Sequence, residues 1–214
     1  MAEESSALLQ FICNSLSIFV ITVCIVIKLP QILSLIKAGS SKGLSLSSVL
    51  LEECGYSIML TYHFARGYPI TTYFEYTFLV LQDLIIILLI LGYDDKFGIS
   101  TLAYFASYLF VFISFSMGMV PDIFLTTAIS LCTPLAMSSK LIQLFKIVKN
   151  QDPGQVSATT WGLAFCSTFA RCITTLIQTG DKAVLINFSL SCFLNFSLTS
   201  LVIYYRHDKK KKFY

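Results

Sequence analysis

The sequence predicts an all-α membrane protein of seven transmembrane helices, arranged as two three-helix repeats joined by one linker helix. The first observation behind this fold class is composition: the chain of 214 residues is 56% hydrophobic and 13% charged, whereas soluble domains carry about 25% charged residues. The second is that its apolar runs have the length of membrane spans, about 20 residues each, with short polar joints between them. The third is an internal repeat.

The apolar runs and their polar breaks predict the helices in order. They cover 8–37, 44–65, 70–92, 99–116, 121–149, 156–178 and 183–205. The first and fifth runs contain Pro30 and Pro134, and a proline without an amide hydrogen predicts a bend or a break. Gln31 and Gln143 lie beside these two hinges, where we expect their side-chain amides to satisfy backbone groups freed by the bend.

The internal repeat appears when the chain is laid on itself with an offset of 112 residues. Lys28 and Gln31 then coincide with Lys140 and Gln143, and the identities cluster at one loop. Together with the 3 + 1 + 3 helix count, this indicates a duplication whose copies point the same way across the membrane, a parallel repeat. The predicted parts are a first repeat (1–93), a linker helix (94–120), a second, degenerate repeat (121–206) and a basic tail (207–214).

The distribution of basic residues predicts the orientation, because Lys and Arg are retained preferentially on the cytosolic side. With the N-terminus lumenal, ten of the fifteen basic residues are cytosolic, and only Arg66 and Lys182 lie on the opposite side. The remaining three are within helices. The basic tail is therefore interpreted as a topology signal on a cytosolic C-terminus, and no nucleic-acid partner is indicated.

Ionisable residues inside the predicted helices are the candidate functional residues, because each costs about 2.5–3.5 kcal/mol near the bilayer centre. Asp83 is the most informative, since the offset lays it on Asn195 near mid-span of the third helix of each half. Asp83 and Asn195 are expected either to line a cavity for a cation, a proton or a polar head group, or to form an interhelical hydrogen bond. The other intramembrane charges considered are Lys28, Glu52, Glu53, Glu75, Lys140 and Arg171.

Two expectations follow for those charges. Glu52 or Glu53 is expected to pair with Lys28 or Lys140, although both lysines could instead extend toward an interface. Arg171 lies deeper, and a packed ion pair is the preferred interpretation.

Several chemistries are not indicated. His63 and His207 are the only histidines, so neither a metal site nor a Ser-His-Asp arrangement can be assembled from imidazole groups. The seven cysteines lie in apolar stretches without a C-x-x-C pair, which predicts neither zinc nor a disulfide framework. No cofactor and no enzymatic activity are expected. Tyr68, Tyr73 and Tyr76 are interpreted as an interfacial aromatic belt.

Pro30-Gln31, followed by the turn Ser41-Lys42-Gly43-Leu44-Ser45, resembles the PQ-loop repeat family. The resemblance implies a SWEET-like fold whose halves rock around a midplane site. It also implies that Asp83 and Asn195 occupy the positions where related sugar carriers place a pair of asparagines toward the cavity. The second copy reads Ile142-Gln143, so its Pro-Gln pair is lost, and Pro134 is expected to supply the bend.

Two functions remain open at this stage. The first is a carrier that moves an unknown small polar solute by alternating access of two three-helix bundles. The second, which one branch of the resembled family implies, is an accessory role in the use of dolichol-linked mannose or glucose donors in the endoplasmic reticulum. A carrier should have a water-filled cavity lined by Asp83, whereas a lipid-handling protein needs only an apolar lateral groove.

The last residues suggest a location. Lys211 and Lys212, third and fourth from the end of the sequence, resemble a dilysine retrieval signal for endoplasmic reticulum membrane proteins, read by a coat complex. A basic flank that only fixes topology is the alternative. Besides the lipid bilayer, a second copy of the chain is a permitted partner, because the predicted architecture neither requires nor forbids a homo-oligomer.

Overall fold

The computed structural model describes residues 2–41, 46–151 and 158–212, and this part of the chain is helical with short connections and no strand. The α-helices are α1 (Ala2–Ile27), α2 (Leu29–Ala38), α3 (Leu46–Ala65), α4 (Phe74–Tyr93), α5 (Ile99–Ser116), α6 (Asp122–Asn150), α7 (Ala158–Thr174) and α8 (Lys182–Lys212).

These elements reproduce the seven predicted runs, with α1 and α2 together forming the first. Within the described residues, five helical segments are long and apolar enough to cross a membrane: Ala7–Ala38, Phe74–Tyr93, Ile99–Ser116, Asp122–Asn150 and Lys182–His207. The other two predicted helices are α3, which has 20 residues, and α7, which has 17 and continues as a π-helical turn, Thr175–Thr179. The all-α class predicted from the sequence is confirmed.

The first predicted helix is broken at Lys28, between α1 and α2. Pro30 lies in the first turn of α2, where its missing amide hydrogen costs no helical hydrogen bond and its fixed φ suits the helix. The amide of Ile32 still donates to the Lys28 carbonyl over 3.0 Å. The new helix therefore begins at Leu29, two residues after α1 ends, with Pro30 in its first turn.

Pro134 behaves differently from Pro30. It lies inside α6, which runs without interruption from Asp122 to Asn150. A break at this position, one of the two outcomes predicted from the sequence, is not present. A proline in a helix interior removes one backbone hydrogen bond, and the long apolar helix continues despite that loss, as membrane helices often do.

The chain divides into two compact units, one comprising residues 18–129 and the other residues 1–17 with 130–214. In the first unit, α2, α3 and α4 share an apolar core built from Ile32, Leu35, Val49, Ile86, Ile87, Ile90 and Leu91. In the second unit, Ile147 of α6 packs with Leu198 and Val202 of α8. Each unit thus has its own core of branched aliphatic side chains.

The aromatic belt predicted for the tyrosines near the start of α4 is wrong for Tyr73 and Tyr76. Both are buried, 8% and 7% exposed, and their ring centroids lie 5.8 and 6.1 Å from that of His63 at the end of α3. The ring of Tyr68 packs edge-on against the same imidazole at 5.6 Å. These tyrosines pack around the buried imidazole of His63. A pattern of tyrosines near a helix end does not predict this contact.

Candidate functional site

A buried ionic cluster occupies the helix break of the first unit; we call Lys28, Glu52 and Asp83 the Lys28 cluster. Lys28 Nζ lies 2.5 Å from Glu52 Oε2 on α3 and is also paired with the Asp83 carboxylate on α4. The Asp83 side chain is 0% exposed and that of Lys28 is 9% exposed, whereas that of Glu52 is 53% exposed. One ammonium group therefore joins the break to two neighbouring helices.

One of the pairings expected from the sequence is thus present, between Lys28 and Glu52. The partner of Asp83 was not anticipated, because Lys28 and Asp83 are 55 positions apart in the chain. The ring of Tyr56 adds a cation–π contact, with its centroid 5.1 Å from Lys28 Nζ. Such a contact contributes about 2 kcal/mol when the cation is desolvated. Lys28 is held in the bundle and does not extend to an interface.

Gln82 stabilises the break itself. Its side-chain amide nitrogen donates to the carbonyl oxygens of Cys24 and Ile25 over 3.1 and 2.8 Å. These carbonyls lie in the last turn of α1, where the regular pattern of intrahelical hydrogen bonds ends. From the sequence, we expected Gln31 to support the helix break in this way. Gln31 lies half-buried on α2. The side chain of Gln82 is buried, and no local sequence pattern links it to a break almost sixty residues away.

A second polar group connects α3 to α5; we call Glu53, Ser57 and Tyr108 the Glu53 node. Tyr108 Oη lies 2.5 Å from Glu53 Oε1, and Ser57 Oγ lies 3.1 Å from the same oxygen. The two hydroxyl oxygens are 2.6 Å apart. Glu53 is 2% exposed. Although Glu52 and Glu53 are adjacent, they serve different contacts because consecutive helical residues point about 100° apart.

The positions of the second unit that match the Lys28 cluster carry less charge. Asn195, which the repeat lays on Asp83, is 1% exposed, and its Nδ2 donates to Thr168 Oγ1 over 3.3 Å. Lys140 corresponds to Lys28, but Ala164 stands where the first copy has Glu52. Gln143 is half-buried on α6. The acids of the first copy therefore have no counterparts at the matching positions of the second.

Arg171 is the remaining intramembrane charge of the second unit. It lies on α7, is 2% exposed, and its Nη1 donates to Ser17 Oγ on α1 over 3.3 Å. The hydrogen bond connects α7 to the middle of α1. Lys211 and Lys212 lie at the end of α8, and their side chains fall outside the described residues. Residues 42–45 of the predicted turn also lie outside them.

Two apolar grooves flank α5 within the first unit. The larger, with a volume of ≈ 390 Å³, lies between α3, α4 and α5 and has Glu53 and Tyr108 among otherwise mostly apolar lining residues. The smaller, ≈ 280 Å³, lies between α3, α5 and the start of α6 and includes Ser57 and Tyr108. Cys54 and Tyr108 border both grooves. Asp83 lines neither of them.

Outside the predicted spans, a small ionic contact closes the connection between α4 and α5. Lys96 Nζ donates to Asp94 Oδ2 over 2.8 Å, and the Ser41 hydroxyl also donates to this carboxylate. Together, first through Lys96 and then through Ser41, these donors hold the pKa of Asp94 below its usual value. The contact fastens the end of α2 to the α4–α5 connection.

The sequence of this chain resembles known proteins over most of its length. The profile of the PQ loop repeat matches residues 12–72, which contain the helix break. Over 186 residues the chain is 38% identical to solute carrier family 66 member 3 of Homo sapiens, a match that covers 86% of this chain and 89% of that protein. The chain belongs to the PQ-loop repeat proteins of solute carrier family 66. The resemblance stated from the Pro30-Gln31 motif is thereby confirmed.

The fold of this PQ-loop protein is also that of a known transporter structure. A eukaryotic SWEET transporter superposes with a TM-score of 0.73 over 94% of this chain and 99% of that chain, at 13% sequence identity. At that identity the likeness establishes the fold alone. The PQ-loop protein is therefore a multi-pass membrane protein of transporter-type architecture, as its sequence predicted.

Proposed function

We propose that this protein carries a small polar solute across the membrane by alternating access of its two three-helix bundles. The observation that carries the proposal is the Lys28 cluster, an ionic group buried at the helix break of the first unit. Charged groups inside a membrane bundle are costly and commonly mark a substrate or ion path. Membership of a solute carrier family and a transporter-type fold support the same function.

The cluster suggests how a solute acts on the bundle. Lys28 connects the break between α1 and α2 to Glu52 and Asp83. The angle between α1 and α2 is therefore fixed as long as these ion pairs are intact. A solute with a polar or cationic group competes with Lys28 for these carboxylates. In this proposal solute binding exchanges one set of polar contacts for another and lets the break change its angle. A ligand shifts such an equilibrium only through its differential affinity for the two states.

The experiment is uptake into proteoliposomes across a panel of sugars, amino acids and small cations, comparing the wild-type chain with Asp83→Asn. Asp122→Asn is the matched control, because Asp122 is also an ion-paired acid of the first unit but is surface-exposed. Saturable uptake of one solute that is lost in Asp83→Asn and retained in Asp122→Asn supports the carrier. If Asp83→Asn does not fold, the charge-neutral pair Lys28→Met with Asp83→Asn replaces it.

A second candidate is favoured by the two apolar grooves beside α5. They offer lateral surface for a lipid chain, as an accessory protein for dolichol-linked mannose or glucose donors requires. Filling the larger groove by Leu50→Trp, with Leu51→Trp on the same helix but outside the groove as control, tests this function. Loss of mannose transfer from dolichol-linked donors in cells carrying only Leu50→Trp, together with no uptake of any panel solute by the wild-type chain, would favour the accessory role.

We also propose that the protein resides in the endoplasmic reticulum membrane with a lumenal N-terminus and a cytosolic C-terminus. The excess of Lys and Arg on the C-terminal side supports the orientation. Lys211 and Lys212 support retrieval by a coat complex, because a dilysine signal must face the cytosol to be read. Attachment of an accessible tag to either terminus, followed by protease protection in sealed microsomes, tests the orientation.

A further inference from the structure

We infer that Glu53 is a proton-binding site: its carboxyl group is neutral in the folded protein and donates the third hydrogen of the Glu53 node. This inference goes beyond the proposed carrier function and does not depend on it. It rests on the absence of a compensating cation for Glu53 among the described residues, on the count of hydrogens in the node and on the burial of the group.

Charge balance is the first argument. The hydrogen-bond partners of the Glu53 carboxyl within the described residues are the hydroxyls of Ser57 and Tyr108, and neither carries a positive charge. The nearby ammonium group, that of Lys28, is already bound to Glu52 and Asp83. An ionised Glu53 would add a further negative charge at 2% exposure. A buried charge without a cationic partner is expensive in protein, and more so in a bilayer.

The hydrogen count gives the second argument. Three oxygen atoms meet at the node and form three contacts of 2.5, 2.6 and 3.1 Å. Ser57 and Tyr108 each supply one hydrogen, and an ionised carboxylate supplies none. Two hydrogens cannot fill three contacts. A protonated Glu53 supplies the third, so each oxygen–oxygen contact then holds one hydrogen.

The surroundings of Glu53 do not offer a better partner. The titratable groups that face it come from its own helix, from α4, from α5 and from the helix break: Cys54, Tyr56, Asp83, Tyr108 and Lys28. Asp83 is acidic and disfavours a second anion nearby, and Lys28 is engaged elsewhere. One oxygen of Glu53, Oε2, is buried and lacks a hydrogen-bond partner among the described residues, which a neutral carboxyl tolerates better than an anion.

The consequence concerns the attachment of the linker helix α5. Glu53 and Ser57 lie on α3 and Tyr108 lies on α5, so the node is a polar link between these helices. If the proton is lost, one of three contacts loses its hydrogen and a charge is left in an apolar environment between two grooves. Proton release therefore weakens the link, and proton binding restores it.

Infrared spectroscopy of the purified full-length protein in liposomes at pH 7 tests the inference, because protonated and ionised carboxyl groups absorb at different frequencies. We expect the wild-type spectrum to contain a protonated-carboxyl band that is absent from Glu53→Gln and unchanged in Glu52→Gln. Glu52→Gln is a matched control, since the neighbouring side chain is half-exposed and pairs with Lys28. A wild-type spectrum that loses no such band in Glu53→Gln overturns the inference.

A second variant keeps the test decisive if Glu53→Gln does not fold. Tyr108→Phe removes one hydroxyl from the node but leaves the carboxyl group in place. We expect the protonated-carboxyl band to persist at a shifted frequency, because its hydrogen bonding has changed. A band that stays at the wild-type frequency shows that the absorbing carboxyl group is not Glu53. Neither readout requires transport, so the inference can fail or hold independently of the carrier function.

Discussion

The side-chain amide of Gln82 on α4 donates to the carbonyl oxygen of Ile25 over 2.8 Å, which holds the end of α1 against another helix of the first repeat. Carbonyls in the last turn of a helix lie beyond the regular intrahelical pattern, and this donor satisfies one of them in a region with little water. The relationship explains how the helix break at Lys28 is tolerated inside an apolar bundle.

Replacing Gln82 by Leu, the residue found at the matching position 194 of the second repeat, should therefore destabilise the protein. We expect a loss of about 0.6–2 kcal/mol, the range of interhelical hydrogen bonds in membranes, measured by unfolding in detergent. Gln31→Leu is the control and should cost less, because the carbonyls at the break are bound to Gln82. An equal loss in both variants would contradict the assignment.

The ion pair between Lys28 and Asp83 predicts a non-additive pair of substitutions. Lys28→Met leaves Asp83 as an uncompensated buried acid and should cost about 3–5 kcal/mol, as expected for breaking a buried pair. Adding Asp83→Asn removes that buried charge and should recover part of the loss, because the acid that remains without Lys28 is Glu52, whose side chain is 53% exposed. A double-mutant cycle based on unfolding in detergent measures the coupling; additive losses would argue against the pair.

The ion pair between Arg66 and Asp122 should contribute little. Arg66 Nη2 lies 2.9 Å from Asp122 Oδ2, but the two side chains are 37% and 63% exposed, and exposed pairs contribute about 0–1 kcal/mol. Asp122→Ala should therefore lower the unfolding temperature only slightly, and raising the salt concentration should reduce the difference from wild type. A large, salt-independent loss would contradict this prediction.

The contacts of Asp94 predict a dependence of stability on acid pH. Because Lys96 and Ser41 lower the pKa of Asp94 in the folded protein, the folded state binds this proton less readily than the unfolded state. The contribution of Asp94 to stability is therefore complete above the unfolded pKa, about 3.9, and is lost as the pH falls through the lower folded value. Unfolding temperatures between pH 6 and pH 3 should fall less steeply in Asp94→Asn than in wild type. Parallel curves would exclude the effect.

The basic tail leads to a prediction about where in the cell a variant protein is found. If Lys211 and Lys212 form a retrieval signal, changing both to Ser should release the protein from the endoplasmic reticulum, whereas changing Lys209 and Lys210 should not. Fluorescence microscopy of tagged protein, with the tag on the N-terminus so that the C-terminal residues stay free, provides the readout. Unchanged location of both variants would leave the basic tail with a role in topology only.

Helix positions were the most predictable feature. The run predicted over 99–116 coincides with α5, and the run over 44–65 is within two residues of α3 as the structure describes it. Apolar length decides where such helices lie, because a chain in a bilayer must satisfy its backbone hydrogen bonds within each helix. The effect of proline was less predictable: Pro30 lies in the first turn of a helix, while Pro134 lies in the interior of one.

The sequence also identified candidate charges but left open which of the possible partners each one has. Glu52 and Glu53 are adjacent and equally acidic, yet the first pairs with Lys28 and the second with Tyr108. Neither the role of Gln82 nor that of Tyr108 was predicted, since both depend on contacts between residues more than fifty positions apart.

The sequence by itself determined the class of the protein, its helices and its family, because these depend on apolar length and on local motifs such as Pro30-Gln31. Only the tertiary structure decided which charges meet, which of two adjacent acids faces Lys28, and which amide supports the helix break. The physical reason is that a buried charge or carbonyl is stabilised by the polar group that helix packing places within about 3 Å of it. Helix packing depends on residues far apart in the chain, so no short stretch of sequence predicts it.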